Sequence, residues 1–252
     1  MSQLSRRAFA QRTLGSILSY SLLQTLVQHD LFADETRPAV VKWLARVNQL
    51  GWDLKEQKLS QADWQKTIEE LYAKADVDGF LALIDFDKLT KNLELVDTGA
   101  RSLQFKFPKI DGIPENVAWG KQIFALKQGR SVVPHGHNNM ATAFLILKGE
   151  FHGRHYDRLE DQTEHFILKP TIDRKFTVGE CSTVSDVKDN VHWFKSLSTE
   201  TAFIFNIHVT GINSENKDPT GRLYVDPAGE KLEGGKLRCR RIDYDEANKL
   251  YG

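Results

Sequence analysis

The stretch that decides the fold runs from Gly129 to Asp157 and reads GRSVVPHGHNNMATAFLILKGEFHGRHYD. It contains two histidines, His135 and His137, with one residue between them. Side chains of a β-strand alternate between its two faces, so an extended backbone places both imidazoles on the same face. Neutral imidazole is the commonest protein ligand for metals such as iron, copper, nickel and zinc. The pair therefore predicts part of a divalent metal site, with two ordinary rim histidines of a β-domain as the alternative.

The spacing around this pair resembles the first motif of the cupin superfamily. In that motif a glycine precedes the His-x-His pair, and a glutamate and a second glycine follow it. Gly129, with five residues between it and His135, and Gly149 stand at the two glycine positions. Thr142 stands where the glutamate is expected, and a threonine hydroxyl is a poor metal ligand. The resemblance implies a mainly β fold, a cupin-type β-barrel (double-stranded β-helix), whose usual carboxylate ligand is missing.

Cysteine dioxygenases and the related thiol dioxygenases are cupins that also lack this glutamate and hold iron with three histidines. The segment is similar to theirs in Pro134, in its leucine-rich run and in the pair Tyr156-Asp157, and the resemblance covers roughly residues 120–212. It implies an Fe(2+) site, with another divalent metal as the alternative. It also implies an enzyme, a non-haem iron dioxygenase, that converts a small, cysteine-like thiol to a sulfinate with O2.

Two other functions fit the same motif. One is a different metal-dependent cupin reaction, such as isomerisation or decarboxylation. The other is an exported, non-catalytic module that binds a sugar or a metal. Thr142 in place of the glutamate fits the thiol-oxidising function, and it also fits the decay of a former metal site.

A later segment offers the third ligand. Residues 189–194, DNVHWF, resemble the Asn-x-His-x-Phe element of thiol dioxygenases and place His192 as that ligand. His208 follows on an apolar run, near the place where cysteine dioxygenases carry a tyrosine that orients oxygen and substrate. The resemblance implies that His208 is a catalytic hydrogen-bond donor or proton carrier. A packed, structural histidine remains the alternative at both positions.

Several other side chains belong to the same prediction. Arg154 alternates in phase with Tyr156 and is a candidate for binding a substrate carboxylate, against the alternative of an exposed arginine. Three further histidines are predicted on the surface or in hairpins: His152, His155 and His165. Five residues are available for an apolar lining: Phe144, Ile146, Trp193, Phe194 and Phe205.

Composition limits the partners. The formal net charge is zero, so nucleic acid is not an expected partner, and we expect a small-molecule substrate and O2. The oligomeric state is left open. Two cysteines, Cys181 and Cys239, are too few for a disulfide framework or a thiolate zinc site, and whether they pair is open.

The N-terminus resembles an export signal. Residues 5–9, SRRAF, match the twin-arginine motif, and the apolar stretch LGSILSYSLLQTLV follows at 14–27. We predict a signal segment over 1–33 and a periplasmic protein, with an amphipathic helix of a cytoplasmic protein as the alternative. No run reaches the roughly 18–20 apolar residues of a membrane span.

The rest of the chain divides by pattern. Residues 34–98 show helical periodicity, with Ser60 as an N-cap and a third helix predicted over about 79–93. Residues 99–252 carry short β-rich runs between turn residues, which is typical of a barrel. Residues 213–235 are rich in Gly, Pro, Asp and Asn and predict a long surface excursion, followed by a strand over 236–243 and a short terminal helix over 245–250.

Overall fold

A computed structural model describes residues 39–109, 111–113, 115–216 and 219–252. The predicted signal segment, residues 1–33, lies outside these residues. None of the helices in the described ranges is long and apolar enough to cross a membrane.

Helices occupy the N-terminal part of the described chain. They are residues 39–55 (α1), Gln61–Tyr72 (α2), Val77–Leu83 (α3) and Phe86–Thr90 (α4), and Tyr244–Tyr251 (α5) lies at the C-terminus. Ser60 caps α2 as predicted, because its hydroxyl accepts a hydrogen bond from the backbone N–H of Asp63. The single helix predicted over 79–93 is wrong. Asp85, at φ 51°, adopts the left-handed conformation and separates α3 from α4.

Eleven strands follow α4 in the described chain. They are Arg101–Leu103 (β1), Gly120–Leu126 (β2), Ser131–Asn138 (β3), Met140–Lys148 (β4), Phe151–Asp161 (β5), His165–Phe176 (β6), Cys181–Val184 (β7), Val191–Ser196 (β8), Ala202–Thr210 (β9), Gly221–Lys231 (β10) and Leu237–Arg241 (β11). Five of them form a sheet in the order β1-β2-β9-β4-β7, and the other six close a barrel in the order β10-β11-β6-β5-β8-β3. The predicted fold class, mainly β with a closed barrel and an N-terminal helical segment, is confirmed.

The central strands of the five-stranded sheet, β4 and β9, are buried on both faces, and they therefore read as nearly continuous apolar runs. On the outer face the helices cover alternate residues, and the rings of Phe80 in α3 and Phe205 in β9 lie 4.7 Å apart. On the inner face, Phe144 of β4 packs on Phe194 of β8 at 5.1 Å. Burial of each such side chain contributes about 1.5–3 kcal/mol. These contacts hold the sheet in place against β8, the strand that carries His192.

The predicted surface excursion over 213–235 is wrong, because β10 occupies Gly221–Lys231 within it. This strand pairs with β3 on one side and with β11 on the other, and so closes the barrel. Pro227 and Gly229, which suggested a loop, fall where the pairing register shifts between Asp226 and Glu230. Turn-forming residues here produce an irregularity within a strand, as they often do at barrel rims.

The two cysteines are both free thiols in this structure. Cys181 begins β7 and is partly buried beside α2, while Cys239 is buried in β11. Burial raises the pKa of each thiol to about 11.

Candidate metal centre

Three of the predicted residues converge inside the barrel. His135 and His137 lie on β3, and His192 lies on β8 directly opposite His135 in the strand pairing. Each offers a ring nitrogen, and these atoms all lie within 4.8 Å of one another. The three side chains are at most 2% exposed. This arrangement can hold a divalent metal ion.

Asn190 holds the two ligand-bearing strands together. The pairing of β3 with β8 is irregular between Val132 and His135. On the other side of the His135–His192 pair, the Asn190 side chain links the two strands, because its Nδ2 donates to the His137 carbonyl at 2.9 Å and its Oδ1 accepts from the His137 N–H at 3.2 Å. The same Oδ1 would lie 2.6 Å from a Cβ at residue 136, so Gly136 is required beside it.

A chain of buried polar contacts connects this strand junction to the helical region. Asn190 Nδ2 also donates to the carbonyl of Ser185 at 2.8 Å. The Ser185 hydroxyl in turn donates to Oε1 of Gln65 in α2 at 2.7 Å. All three side chains are at most 1% exposed. The helices therefore help to fix the backbone of His137 through a buried network.

Hydrogen bonds orient two of the imidazoles. Nδ1 of His135 donates to the carbonyl of Val133 at 2.8 Å, which leaves Nε2 with a free lone pair. Nδ1 of His137 lies 3.1 Å from the hydroxyl of Thr142. Thr142 thus lies at the position where the motif has a glutamate and can orient the ring of His137, as the outer partners of metal ligands commonly do.

His192 provides the test of whether a metal fits. Both of its ring nitrogens are buried, and neither has a hydrogen-bond partner among the described residues. An unsatisfied buried polar group costs about 1–3 kcal/mol. A divalent cation bound by the three imidazoles would satisfy one of these nitrogens, so the donor set fits such an ion.

Electrostatics keep the three imidazoles neutral, which is the form that binds metals. Burial, assisted by the charge of Arg222, lowers the pKa of His135 to about 3. Burial and the neighbouring histidines hold the pKa values of His137 and His192 well below the usual value. At neutral pH the centre therefore consists of three uncharged donors.

The three histidines face a cavity of about 70 Å³, which we call the inner cavity. Its apolar walls include Phe124, Val132, Met140 and Phe144. Within the described chain no Asp, Glu or Cys lines it. A metal ion there would have only neutral protein ligands within reach.

His208 also lines the inner cavity but does not belong to the three-histidine cluster. It lies between Gly120 of β2 and Thr142 of β4 in the strand pairing. A Cβ at residue 120 would fall against Nε2 of His208, so the glycine provides the space for this ring. Burial, followed by the charge of Arg222, lowers the pKa of His208. A neutral imidazole thus stands beside the cavity, able to exchange a proton with a bound ligand.

Arg222 is a residue of the site that sequence reasoning missed. It lies on β10 directly opposite His137, two residues before Tyr224, which pairs with His135. Arg222 borders both the inner cavity and a larger, outer cavity of about 290 Å³. The outer cavity is lined by Ser102, Gln122, Tyr224, Tyr244 and Asn248, among others, and shares His135 with the inner one.

The prediction that His155 lies on the surface or in a hairpin is wrong. His155 is fully buried and lies opposite His192, where the Ser182 hydroxyl lies 3.2 Å from its Nε2. Arg154 alternates in phase with Tyr156 as predicted, since Arg154 pairs with Trp193 and Tyr156 with Val191 along the regular ladder between β5 and β8. Its guanidinium lies over the ring of Trp193, at 4.6 Å, and Arg154 lines neither cavity, which does not support a role in binding a substrate carboxylate there.

The predicted apolar lining is right in part. Phe144 borders the inner cavity, and Phe194 and Ile146 belong to the same buried cluster within the barrel. Phe205 faces the helices on the opposite side of the sheet, and Trp193 faces away from the inner cavity toward Tyr251. Adjacent residues of one strand cannot both point inward, which explains these two differences.

No protein-family model and no curated protein matches the sequence. Among solved structures, a cupin superfamily protein from Desulfitobacterium hafniense has a TM-score of 0.31 at 15% identity, over 48% of this chain and 87% of that one. An oxalate oxidase has a TM-score of 0.36 at 13% identity, over 51% and 56%. An 11S globulin from Wrightia tinctoria has a TM-score of 0.31 at 9% identity over 42% of this chain, which spans only 22% of the globulin. At these TM-scores the likenesses carry no argument about activity.

Proposed function

We propose that this protein is an iron-dependent thiol dioxygenase, which oxidises a small thiol to a sulfinate. The observation that carries the proposal is the donor set: three buried, neutral imidazoles with no carboxylate lining the cavity among the described residues. Three neutral ligands leave the full charge of a divalent ion uncompensated. Uncompensated charge is costly in apolar surroundings, so this site favours an anionic ligand, such as a thiolate, over a neutral one.

The reaction balances without a further co-substrate. The thiol sulfur loses four electrons, the O2 molecule gains four, and both oxygen atoms become bonded to sulfur while the S–H proton is released. When bound, ferrous iron supplies the one-electron chemistry that dioxygen activation requires. The ligands would be His135, His137 and His192, whose ring nitrogens converge.

The chain's other residues would position the thiol and manage its proton. A thiol bound between the apolar walls of the inner cavity would displace water, which would strengthen every charge interaction inside it. His208 is neutral at neutral pH and would accept the proton of the thiol as the sulfur binds. Thr142 would keep the ring plane of His137 fixed through its hydroxyl.

The test is an oxygen electrode with protein loaded anaerobically with ferrous iron, across a panel of small thiols and peptides with an N-terminal cysteine. We expect oxygen uptake with at least one thiol and incorporation of both atoms of labelled O2 into a sulfinate. His192→Ala should lose metal binding and uptake. His165→Ala is the matched control, because His165 lies on β6 and borders neither cavity.

Full iron loading without oxygen uptake on the whole panel would refute this function. Turnover without oxygen would favour a different metal-dependent reaction. A protein that binds metal and turns nothing over would be a binding module.

We also propose export of the protein by the twin-arginine route. The support is the SRRAF motif and the apolar stretch that follows it. Replacement of Arg6 and Arg7 by lysine should retain the protein in the cytoplasm, as measured by cell fractionation. Periplasmic accumulation of that variant would overturn this assignment.

A further inference from the structure

Asn206, on β9, is a buried polar residue of the inner cavity whose amide makes no hydrogen bond with any described residue. It is 4% exposed, and its Oδ1 is buried. Thr142, by contrast, contacts His137. His208 and Arg222, which also line this cavity, are less buried than Asn206. Folded proteins rarely leave a buried polar group without a partner, so the Asn206 amide is available to a molecule bound in the cavity.

The packing around Asn206 gives no reason for an amide at this position. Phe144 lies directly opposite it on β4, and both residues are buried. Ile204 precedes it on the same face of β9 and is fully buried. Burial of a polar group without a hydrogen bond costs free energy, which a leucine of the same branched shape would avoid. A role toward a ligand accounts for the asparagine where packing does not.

A second carboxamide, that of Gln122, lies beside Asn206. The two residues pair directly across β2 and β9, so their side chains share a face of the sheet. Gln122 is 9% exposed and lines the outer cavity, whereas Asn206 lines the inner one. Its Oε1 accepts a hydrogen bond from the Ser102 hydroxyl at 2.7 Å, and its Nε2 has no partner in the described chain. The two amides therefore lie on either side of the junction between the cavities.

The cavities at this junction are continuous in their walls and unequal in size. Four residues line both of them: Phe124, Val132, His135 and Arg222. The inner cavity measures about 70 Å³ and the outer about 290 Å³. A single water needs about 10–15 Å³ of such space, so the inner cavity admits a small reacting group and the rest of a ligand would lie in the outer cavity. The group that joins these two parts would pass between Asn206 and Gln122.

We propose that Asn206 and Gln122 recognise an amide group of the substrate at this junction. A carboxamide offers both an N–H donor and a carbonyl acceptor, so two of them complement a group that also donates and accepts. The inference rests on the thiol chemistry proposed above and names its substrate class, a neutral thiol with an amide close to its sulfur. Asn206 would act as a specificity residue, because an ester of the same shape lacks the N–H that its Oδ1 would accept.

The test measures binding in the absence of turnover. Protein loaded with Co(II) is titrated anaerobically with N-acetylcysteamine and, separately, with the ester of the same shape, 2-mercaptoethyl acetate. The thiolate-to-cobalt absorption reports the two dissociation constants. We expect the amide to bind about fivefold more tightly than the ester, since a neutral hydrogen bond contributes about that much. Asn206→Ala should bring the two constants together. Gln122→Ala should weaken the binding of both compounds, because each has a carbonyl that its Nε2 would donate to.

Ser196→Ala is the matched control and should keep the preference for the amide. The Ser196 hydroxyl is also buried without a partner in the described chain, but Ser196 borders neither cavity. Metal-free Asn206→Leu should unfold at the same or a higher urea concentration than the wild type, because it loses no hydrogen bond within the described residues. A lower midpoint would assign the Asn206 amide to packing and overturn the inference.

A wild type that binds neither compound or both equally, or an Asn206→Ala protein that keeps the preference, would also overturn it. The amide site and the proposed oxidation can fail separately. If the preference depends on Asn206 but no thiol consumes oxygen, the amide site stands and the oxidation fails. If thiols are oxidised while amide and ester bind equally, the oxidation stands and the amide site fails.

Discussion

The hydroxyl of Thr142 lies 3.1 Å from Nδ1 of His137. If His137 binds a metal through Nε2, this hydroxyl contacts the ring nitrogen that does not bind the metal. The cupin motif has a metal-binding glutamate at this position. Here a threonine hydroxyl, which is a poor metal ligand, lies beside an imidazole of the cluster. The threonine therefore adds no charge to the centre and provides a contact for one of its imidazoles.

Thr142→Val should weaken metal binding about tenfold, because partners that orient a ligand typically contribute 10–100-fold in affinity. Valine keeps the shape of the side chain and loses the hydroxyl. Thr142→Ser is the control and should retain most of the affinity. Competition against a chromophoric chelator measures both, and a valine variant with wild-type affinity would contradict the orienting role.

Asn190→Ala should lower the free energy of unfolding of the metal-free protein by about 2–4 kcal/mol, since it leaves buried backbone groups of His137 and Ser185 without partners. Urea denaturation measures the change. Asn92→Ala, at an exposed position, is the matched control and should be neutral. Equal stability of the two variants would show that β3 and β8 do not need this bridge.

His155 predicts a specific dependence of stability on pH. Burial, followed by the charges of Arg174 and Lys188, lowers its pKa from 6.5 to about 3 in the folded state. Between these values the unfolded chain binds a proton that the folded chain does not. The stability contribution is therefore complete above pH 6.5 and is lost as the pH falls toward 3.

His155→Gln removes this titration. Below pH 6.5, the metal-free wild type should lose about 1.4 kcal/mol per pH unit more than the variant. Urea denaturation at a series of pH values measures the two slopes. Parallel slopes would mean that His155 is protonated in the folded protein.

Gly120→Ala should displace His208, because the added methyl group would fall against its ring. We expect a loss of about 1–3 kcal/mol in the free energy of unfolding, as for other overpacked sites. In a His208→Ala background the same change should cost much less. A double-mutant cycle with additive effects would contradict this contact.

The sequence predicted those residues of the site whose positions follow from a pattern within a single strand. His135 and His137 share a face because of strand alternation, and His192 stands within an apolar strand. Arg222 was not predictable in this way. Its strand, β10, contains Pro227 and Gly229 and little apolar alternation, so only the pairing with β3 and β11 makes it a strand.

The burial of His155 was not predictable from its own strand. His155 is buried because β5 lies between β6 and β8 and because Ser182 of β7 lies beside its ring. These neighbours come from distant parts of the chain, which the local sequence does not describe. The separation of α3 from α4 similarly depends on one residue, Asp85, whose left-handed backbone interrupts an otherwise helical pattern.

The contact between Gly136 and Asn190 links two positions that are far apart in the chain. A side chain at 136 would collide with the Asn190 amide that links the two strands. The residue between the two histidines is therefore restricted to glycine by a side chain of the opposite strand. Residues 136 and 190 should therefore covary among relatives of this protein. A relative with alanine at 136 should carry a smaller side chain than asparagine at 190, because the two would otherwise collide. The glycine between His135 and His137 would then be retained together with Asn190, a residue outside the three-histidine cluster.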